Sequence, residues 1–265
     1  MDIVSAHSFA IMAYKTAPFL EEAVQSICSQ NSKSSVYITT STPNERIEKI
    51  AAQNNIPLHV NTGKAGIVGD WEFALSCTAT PYVTLVDQDD IYHPDYADTV
   101  IGLFKAHPDA LIAFTNYVEI DNKSMQRDIN KTMRIKHFLL FPFLFKNSLK
   151  SRFARRFILR IGNPICSPSV TYNLPALGGP HQFDENYAMS LDWDAWLRMT
   201  DKTGSFCFSR KPLLKHRLHD ATQTSGGISG GQRYQEDLQI YSRLWPRFIA
   251  RRLANAYAES YKTNL

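Results

Sequence analysis

Three aspartates crowd into four residues directly after a short apolar run. The segment LVDQDDIYHPDY places Asp87, Asp89 and Asp90 behind an apolar stretch at residues 82–86. Carboxylates this close repel one another unless a cation offsets their charge. Hard oxygen ligands suit Mg²⁺ or Mn²⁺, and such an ion typically takes one or two carboxylates and completes its shell with phosphate oxygens. The spacing predicts a site for a divalent metal and a diphosphate; an acidic turn that merely ends a strand is the alternative.

A second pair of carboxylates opens the segment DWDAWLRM. Asp192 and Asp194 stand at the start of a predicted helix, where a carboxylate can either cap the helix or face a ligand. A carboxylate that takes a proton from a hydroxyl group turns that oxygen into a nucleophile. Both interpretations stay open for Asp192 and for Asp194.

The elements that must position these aspartates alternate along the first part of the chain. Short apolar runs predict strands at residues 9–13, 36–39, 58–61 and 82–86, and amphipathic patterns predict helices at 19–30, 44–54 and 70–77. This alternation predicts an α/β fold with a single, mostly parallel central sheet flanked by helices. Ligands of such sheets bind beyond the carboxyl ends of the strands. The loops there begin at Tyr14, Thr40, Asn61 and Asp87.

The remaining residues add elements around this sheet. We expect a helix from Pro94 to about 106, a strand at 111–117, short strands at 206–208 and 213–216, and a terminal helix at 234–261. The segment GGISGG at 226–231 has the composition of a flexible loop and resembles a lid hinge; no GxxxxGK[ST] pattern points to an NTPase. We therefore divide the chain into a main domain at 1–225 and a loop with a terminal helix at 226–265.

Composition and cysteine spacing exclude several classes of protein. Apolar residues make up 44% of the 265 residues and charged residues 20%, as in a folded globular chain. The four cysteines form no C-x-x-C pair, which argues against a zinc knuckle or a redox motif, and we expect reduced thiols. The chain starts without the basic residues and apolar run of a signal peptide, and no apolar stretch is long enough to span a bilayer. We expect a cytoplasmic protein that, in one interpretation, lies at the inner face of the cell membrane.

One segment carries most of the positive charge. Residues 123–160 contain eleven Lys or Arg and one acid, Asp128, so the segment has a net charge of +10 while the whole chain has +4. A mildly acidic globule with one basic insert differs from a uniformly basic nucleic-acid binder, and no nucleic-acid-binding module surrounds the insert. We expect no nucleic-acid partner.

The same insert mixes bulky apolar residues with its positive charges. The stretch KHFLLFPFLFKNSLKSRFARRFILRIG predicts a pair of helices, because Pro142 interrupts the run. Aromatic residues and cations in this mixture suit an anionic bilayer surface, which predicts peripheral membrane contact through residues 134–160. The alternative is a helical subdomain whose apolar face packs on the sheet, or on a second copy of the chain in a homodimer.

These pieces together resemble glycosyltransferase family 2. The resemblance runs from about Phe9 to Ser225 and follows the order of the family's motifs: AYK at a strand end, a helix ending in SICSQ, the aspartate cluster, DWDAWLRM and HRLHDATQTS. Such enzymes are inverting and contain a single α/β domain that binds a nucleotide diphosphate sugar. The resemblance therefore implies a metal-dependent transfer of a sugar to a hydroxyl group with inversion.

The resemblance also assigns roles to individual residues. It implies that Tyr14 stacks on the nucleobase, with simple packing as the alternative. Asp87 would hold the ribose or assist the metal, Asp89 would ligate Mn²⁺ or Mg²⁺ directly, and Asp90 would be a supporting ligand or a helix cap. Asp192 would be the catalytic base. One base suffices, because the metal offsets the charge of the departing diphosphate.

The second strand is where this chain departs from the family's pattern. Many relatives end that strand with an aspartate that hydrogen-bonds the base, whereas this chain has Thr40 and Ser41 there. Hydroxyl groups pair with a pyrimidine edge more weakly than a carboxylate does, and uridine is the expected base. Asp70 stands where relatives often carry Asn, and we expect it to contact the nucleotide-sugar donor.

The segment HRLHDATQTS supplies the last candidates. His219 is a candidate metal ligand or diphosphate contact; a solvated or packing histidine is the alternative. Arg217 and Lys215 are nearby in sequence and would act as counter-charges to the diphosphate.

The expected function is transfer of a sugar, from a UDP-sugar in the first instance, to a saccharide or lipid-linked acceptor in surface polysaccharide synthesis. A second hypothesis is a catalytically silent member of the same fold that binds a sugar nucleotide or a partner, which the unusual TTSTPN strand end favours. A third is a nucleotidyltransferase, but these usually open with a Gly-rich strand end containing Arg and Lys, and AYKTAP lacks that signature.

Overall fold

A nine-stranded sheet organises the residues that the computed structural model describes, which are 6–64, 66–218 and 231–261. Its strands are β1 (His7–Met12), β2 (Ser35–Thr40), β3 (Leu58–Val60), β4 (Tyr82–Asp87), β5 (Ile91–Tyr92), β6 (Ala110–Ile120), β7 (Ser148–Leu149), β8 (Val170–Asn173) and β9 (Ser205–Arg217). They follow the order β3-β2-β1-β4-β8-β6-β9-β5, and β7 also pairs with β9. The first four strands are parallel, β6 and β9 are parallel, and β8 runs antiparallel between β4 and β6. This mostly parallel sheet confirms the predicted fold class.

Ten α-helices accompany the sheet within those ranges. They are α1 (Leu20–Cys28), α2 (Glu45–Gln53), α3 (Ile67–Ser76), α4 (Tyr96–Ala106), α5 (Lys131–Leu139), α6 (Arg152–Ile158), α7 (Leu174–Leu177), α8 (Leu191–Met199), α9 (Gln232–Ser242) and α10 (Arg247–Tyr261). Helix α2 begins after Asn44, whose side chain accepts a hydrogen bond from the Ile47 amide at 3.1 Å. That bond satisfies an amide that the helix itself leaves without a partner.

Two apolar cores cover the two faces of the sheet. Successive side chains of a strand point to opposite faces, so Ala10 of β1 belongs to one core and its neighbours Phe9 and Ile11 to the other. The central strands are buried on both sides, which is why they appear in the sequence as continuous apolar runs rather than as alternating patterns.

Two predicted elements differ from the structure. The short strands at 206–208 and 213–216 are one strand, β9, whose pairing with β6 shifts register next to Pro212. The predicted terminal helix is two helices, because Pro246 lacks an amide hydrogen and the turn before it ends α9. Tyr241 of α9 packs on Trp193 with ring centroids 5.0 Å apart, so these helices share a core with α8. The domain boundary at 225 lies outside the described residues and stays a prediction.

The basic insert forms α5, a short 3₁₀ turn (Phe141–Leu144), β7 and α6. The turn falls at Pro142, so the run is interrupted where the sequence predicted. The insert is tied to the sheet by Phe143, which is buried against Phe114 and Phe208. Among the described helices, none combines the length and apolar character needed to cross a bilayer.

Candidate active site

The ends of the four parallel strands meet at one edge of the sheet. Asp87, the last residue of β4, is in register with Met12 at the end of β1. The Asn61 amide donates to the Thr40 carbonyl at 2.8 Å and so aligns the end of β3 with that of β2. The structure therefore brings the loops after all four strands together, as the α/β order predicted.

Asp87 and Asp89 stand half-buried at this edge. Burial, followed by the nearby carboxylates of Asp90 and Asp89, raises the pKa of Asp87 well above its usual range, and the charge of Asp192 adds to the effect. A carboxyl group that is hard to ionise among other carboxylates marks a place where negative charge is poorly compensated. The site therefore has the electrostatic character of a cation site.

Asp90 has a different position from the one we expected. Its side chain is completely buried, and Oδ1 accepts a hydrogen bond from the Arg217 amide at 2.9 Å. Both carboxylate oxygens lie 3.1 Å from Nδ1 of His216. Because these partners occupy it, the Asp90 carboxylate anchors the aspartate loop to the end of β9, and the structure gives no support to its role as a metal ligand.

His216 is therefore the charged partner of the aspartate cluster. Burial alone would lower its pKa, but the carboxylates of Asp90, Asp89 and Asp87 outweigh burial and raise the pKa of His216 to about 9. The sequence indicated His219, and not His216, as the candidate histidine. His219 lies outside the described residues, and its predicted role as a metal ligand stays a prediction.

Arg217 also differs from its predicted role as a contact to the diphosphate. Its guanidinium is completely buried and lies over the ring of Phe19, with 4.2 Å from Cζ to the ring centroid. Nε donates to the Asp89 carbonyl, Nη1 to the Asp121 carbonyl and Ser124 Oγ, and Nη2 to Ser124 Oγ and Glu22 Oε2. All five N–H groups are used, so Arg217 fixes the backbone of the aspartate loop and has no N–H group left for a phosphate of the nucleotide sugar.

A polar network connects the ends of β2 and β3 with α3. Ser41 Oγ donates to one oxygen of Asp70 at 2.9 Å, and Asn61 Nδ2 donates to the other at 2.8 Å. Thr40 Oγ1 accepts from the amide of Thr42 at 3.0 Å, which shapes the turn after β2. Ser41, Asp70 and Asn61 thus form one hydrogen-bonded group beside Thr40. The predicted contacts of Thr40, Ser41 and Asp70 with the donor stay predictions, and the sequence did not indicate the role of the Asn61 side chain.

Tyr14 occupies the loop after β1 with its ring exposed. Its amide donates to Gln88 Oε1 at 2.7 Å, so Gln88, which lies between Asp87 and Asp89, connects the loop after β4 with the loop after β1. The Lys15 ammonium lies 4.9 Å from the centroid of the Tyr14 ring. Lys15 and Ala17 both have positive φ, at 54° and 41°, a backbone conformation that is uncommon for residues other than glycine. An exposed aromatic face at this sheet edge can stack on a planar ligand.

Asp192 lies in the first turn of α8, half-buried, with its side chain held by two donors. Asn163 Nδ2 donates to Oδ2 at 2.6 Å, and the Trp193 amide donates to Oδ1 at 2.7 Å. Burial raises the pKa of Asp192 above its usual range even though these hydrogen bonds and the positive charges of Arg233 and Lys136 lower it. Asn163 was missed because no local pattern marks it; only the folded chain brings it to Asp192.

Asp194 is not a helix cap. Its carboxylate is buried, accepts a hydrogen bond from Arg198 Nε at 2.7 Å and pairs with Arg243 of α9. The residue before α8 is Ser190, whose side chain instead donates to Asp237 at 2.7 Å. The two carboxylates of DWD therefore have different environments. Asp194 joins two helices through its arginine partners, and the charge of Asp192 contributes to the raised pKa of Asp87.

The donor set can be tested against the predicted metal. Within the residues described, no group of three or more acidic, histidine or cysteine side chains is arranged to hold an ion. A magnesium or manganese ion that also binds a diphosphate needs only one or two carboxylates, and half-buried Asp87 and Asp89 supply two. These residues therefore fit a metal that binds together with its substrate.

Comparison with known proteins identifies the family of this chain. The family model for glycosyl transferase family 2 matches residues 8–173, well over half of the chain. The chain belongs to glycosyltransferase family 2, which confirms the resemblance seen in the sequence. An uncharacterized glycosyltransferase of Rickettsia typhi is 22% identical over 250 residues, which cover 91% of this chain and 71% of that protein.

Solved structures share the fold. Residues 1–349 of S. aureus TarS, in complex with UDP-GlcNAc, superpose with a TM-score of 0.66 at 15% identity, covering 94% of this chain and 70% of that one. Glucosyl-3-phosphoglycerate synthase from Mycobacterium tuberculosis, in complex with Mn²⁺, UDP-glucose and phosphoglyceric acid, gives a TM-score of 0.60 at 13% identity and covers 91% and 80% of the two chains. At these identities the likeness establishes the fold.

Proposed function

We propose that this glycosyltransferase moves a sugar from a UDP-sugar to an acceptor hydroxyl with inversion, and that Asp192 is the general base. The observation that carries the proposal is the pair of environments around DWD. Asp194 is held by two arginines, whereas Asp192 is held by Asn163 and the Trp193 amide, has a raised pKa, and carries a charge that acts on Asp87. A carboxylate with a raised pKa is a stronger base, so it removes a hydroxyl proton more readily than an exposed aspartate does.

The donor is proposed to bind along the sheet edge. Tyr14 is proposed to stack on the base, and Thr40, Ser41 and Asp70 are proposed to contact the uracil edge and the ribose. The Ser41–Asp70 hydrogen bond and the turn held by Thr40 and Thr42, both at the end of β2, support this proposal. The two relatives with UDP-sugars support uridine, because they share this fold.

Asp89, assisted by Asp87, is the proposed holder of Mn²⁺ or Mg²⁺. When bound, the metal offsets the charge that develops on the departing diphosphate. The chain's own contribution is to fix the aspartate loop, because Arg217 holds the Asp89 carbonyl and His216 and the Arg217 amide hold Asp90. A loop anchored at both residues keeps the carboxylates in place before the donor arrives.

The acceptor is proposed to approach from the side of α8. Transfer of the hydroxyl proton to Asp192 Oδ frees the acceptor oxygen to attack the anomeric carbon from the face opposite the diphosphate, and the bond between that carbon and the diphosphate oxygen breaks as UDP leaves. The basic insert ends beside this base, since Asn163 directly follows it and Trp193 Nε1 donates to the Leu159 carbonyl at 3.2 Å. An acceptor on a lipid carrier, as used in surface polysaccharide synthesis, would reach Asp192 past this insert.

The test is release of UDP from UDP-glucose and UDP-GlcNAc by the purified chain, with Mn²⁺, with Mg²⁺ and with excess EDTA. We expect slow hydrolysis of one donor that depends on the metal. Tight UDP binding without release of UDP from any nucleotide sugar, with or without saccharide acceptors, would show a silent binding protein and refute the proposal.

A further inference from the structure

The basic insert exposes a continuous aromatic surface. Phe138 of α5, Phe145 after the 3₁₀ turn and Phe153 of α6 are 69%, 91% and 71% exposed. Phe141 and Phe157 connect Phe138 with Phe153: ring centroids are 5.9 Å apart for Phe138 and Phe141, 5.7 Å for Phe141 and Phe157, and 6.5 Å for Phe153 and Phe157, and Phe145 lies four residues after Phe141 in the same insert. We call these five rings the aromatic surface. Contiguous exposed apolar area of this kind marks a contact surface rather than scattered exposed residues.

The aromatic surface is not a sign of loose packing. The insert buries Leu140, Phe143 and Leu149 in the same core as Ala10, and Leu149 pairs with Phe206 of β9 through β7. Arg155 of α6 is buried and donates to the carbonyls of Met199 and Lys202. The insert is thus fixed on its inner side, and the aromatic side chains are exposed on a well-anchored outer side.

Positive charge surrounds the aromatic surface. Residues 131–160 contain nine Lys or Arg and no acid. Several of these are bound within the protein, among them Arg152 and Arg156, which both pair with Asp201. Lys131, Arg134 and Lys146 are exposed and form no ion pair with any residue in the described ranges. Their charge is available to a partner.

We propose that the aromatic surface and its three exposed cations dock the enzyme on an anionic lipid bilayer. Phenylalanine rings bury their area at the boundary between headgroups and acyl chains, and each nearby Lys or Arg adds electrostatic attraction to an anionic leaflet. The absence of acidic residues over this stretch favours lipid phosphate over a protein surface, which presents charges of both signs.

Docking would also orient the active site. Leu159 and Asn163, at the end of the insert, contact the helix that carries Asp192, so the aromatic surface and the base lie on connected elements. This consequence, delivery of a lipid-linked acceptor, rests on the proposed function, whereas docking itself does not.

The experiment measures flotation of the full chain with vesicles of phosphatidylcholine alone and of phosphatidylcholine mixed with phosphatidylglycerol. We expect binding to the anionic vesicles only, weakening as salt rises because exposed charges are screened. One variant combines Phe138→Ser, Phe145→Ser and Phe153→Ser; another combines Lys131→Glu, Arg134→Glu and Lys146→Glu. Each is expected to lower the bound fraction at least about tenfold.

A charge-matched control distinguishes the surface from net charge. Lys33→Glu, Lys49→Glu and Lys105→Glu change the charge equally at exposed positions outside the insert and should leave binding intact. All three variants should retain the unfolding midpoint and the UDP release of the unmodified chain. If the unmodified chain binds vesicles but releases no UDP, the result counts against the proposed function alone. The docking proposal would be overturned if the unmodified chain did not float with anionic vesicles, or if the control variant lost as much binding as the insert variants. It would also be overturned if a change between monomer and dimer explained the loss of binding in the aromatic variant.

Discussion

The two polar clusters at the strand ends are built in opposite ways. Asp70, at the ends of β2 and β3, has both oxygens occupied by neutral donors, Ser41 and Asn61. The aspartates after β4 are held mainly through backbone and through Asp90, while Asp87 has a pKa that burial and neighbouring carboxylates raise. The carboxylate of the first cluster is held by neutral donors, whereas the carboxylates of the second lie close to one another.

The difference indicates what each cluster needs from a ligand. A hydrogen-bonded carboxylate gains little from a cation and serves to shape a binding edge. Crowded carboxylates with raised pKa values gain a great deal from a cation, because it removes their mutual repulsion. Chemistry is therefore expected at β4 and α8, and recognition at β2 and β3.

The largest effect is expected from Asp192→Asn. Amide nitrogen cannot accept the acceptor proton, so kcat for transfer should fall between about a hundredfold and ten-thousandfold while UDP binding is unchanged. Transfer is measured with the donor identified by UDP release, and binding by calorimetry. Asp194→Asn is the matched control: it should lower stability through its two arginines and leave the pH dependence of transfer as it was. Near-normal turnover in Asp192→Asn would remove the base assignment.

The second-largest effect is expected from Asp89→Ala. If this carboxylate holds the ion, the variant loses the metal-dependent part of donor affinity, and UDP should bind equally well with Mn²⁺ and with EDTA. Asp70→Ala is the control at the other cluster and should keep its response to Mn²⁺. A full Mn²⁺ response in Asp89→Ala would place the metal elsewhere.

A smaller effect is expected from Arg217→Lys. Lysine has three donors in place of a planar set of five, so buried acceptors in the aspartate loop would lose partners. We expect the free energy of unfolding in urea to fall by about 2 kcal/mol. Arg210→Lys, on the exposed part of the same strand, should change it little. Equal stability of the two variants would show that the buried guanidinium is not needed to fix the loop.

Asp70→Asn should have a mild effect of about threefold on donor affinity, since a neutral amide keeps one hydrogen bond and loses a charge-assisted one. The measurement is KM for the donor at fixed Mn²⁺. A loss as large as that of Asp89→Ala would contradict the division of roles between the two clusters.

The pH dependence of kcat tests whether the base is Asp192 or an ordinary exposed aspartate. Burial raises the pKa of Asp192, and a base works only when it is deprotonated, so kcat should fall on the acid side at a higher pH than an exposed aspartate would give. The Asn163 hydrogen bond lowers this pKa, so Asn163→Ala should move the acid limb to still higher pH. Asn186→Ala, an exposed amide, should leave the limb in place.

Most of the sheet could be predicted from the sequence, because its strands are buried on both faces and appear as apolar runs. β9 was divided in two because Pro212 and polar residues around its register shift hide the continuity. The site was predicted less evenly. Asp87, Asp89 and Asp192 lie in local motifs, whereas Asn163 and His216 act through partners far away in the chain. Asp90 and Arg217 were given ligand roles because a motif shows residue type but not whether the side chain faces the cleft or the core.

By itself, the sequence determined the α/β class, the aspartate cluster at a strand end, the second carboxylate pair and the basic insert. These features are local, since apolar periodicity and charge spacing are properties of neighbouring residues. Only the tertiary structure decided that Asp90 is buried against β9, which arginine is buried, and that the insert exposes Phe138, Phe141, Phe145 and Phe153. Those outcomes depend on hydrogen-bond partners and burial, which are set when distant segments of the chain pack together.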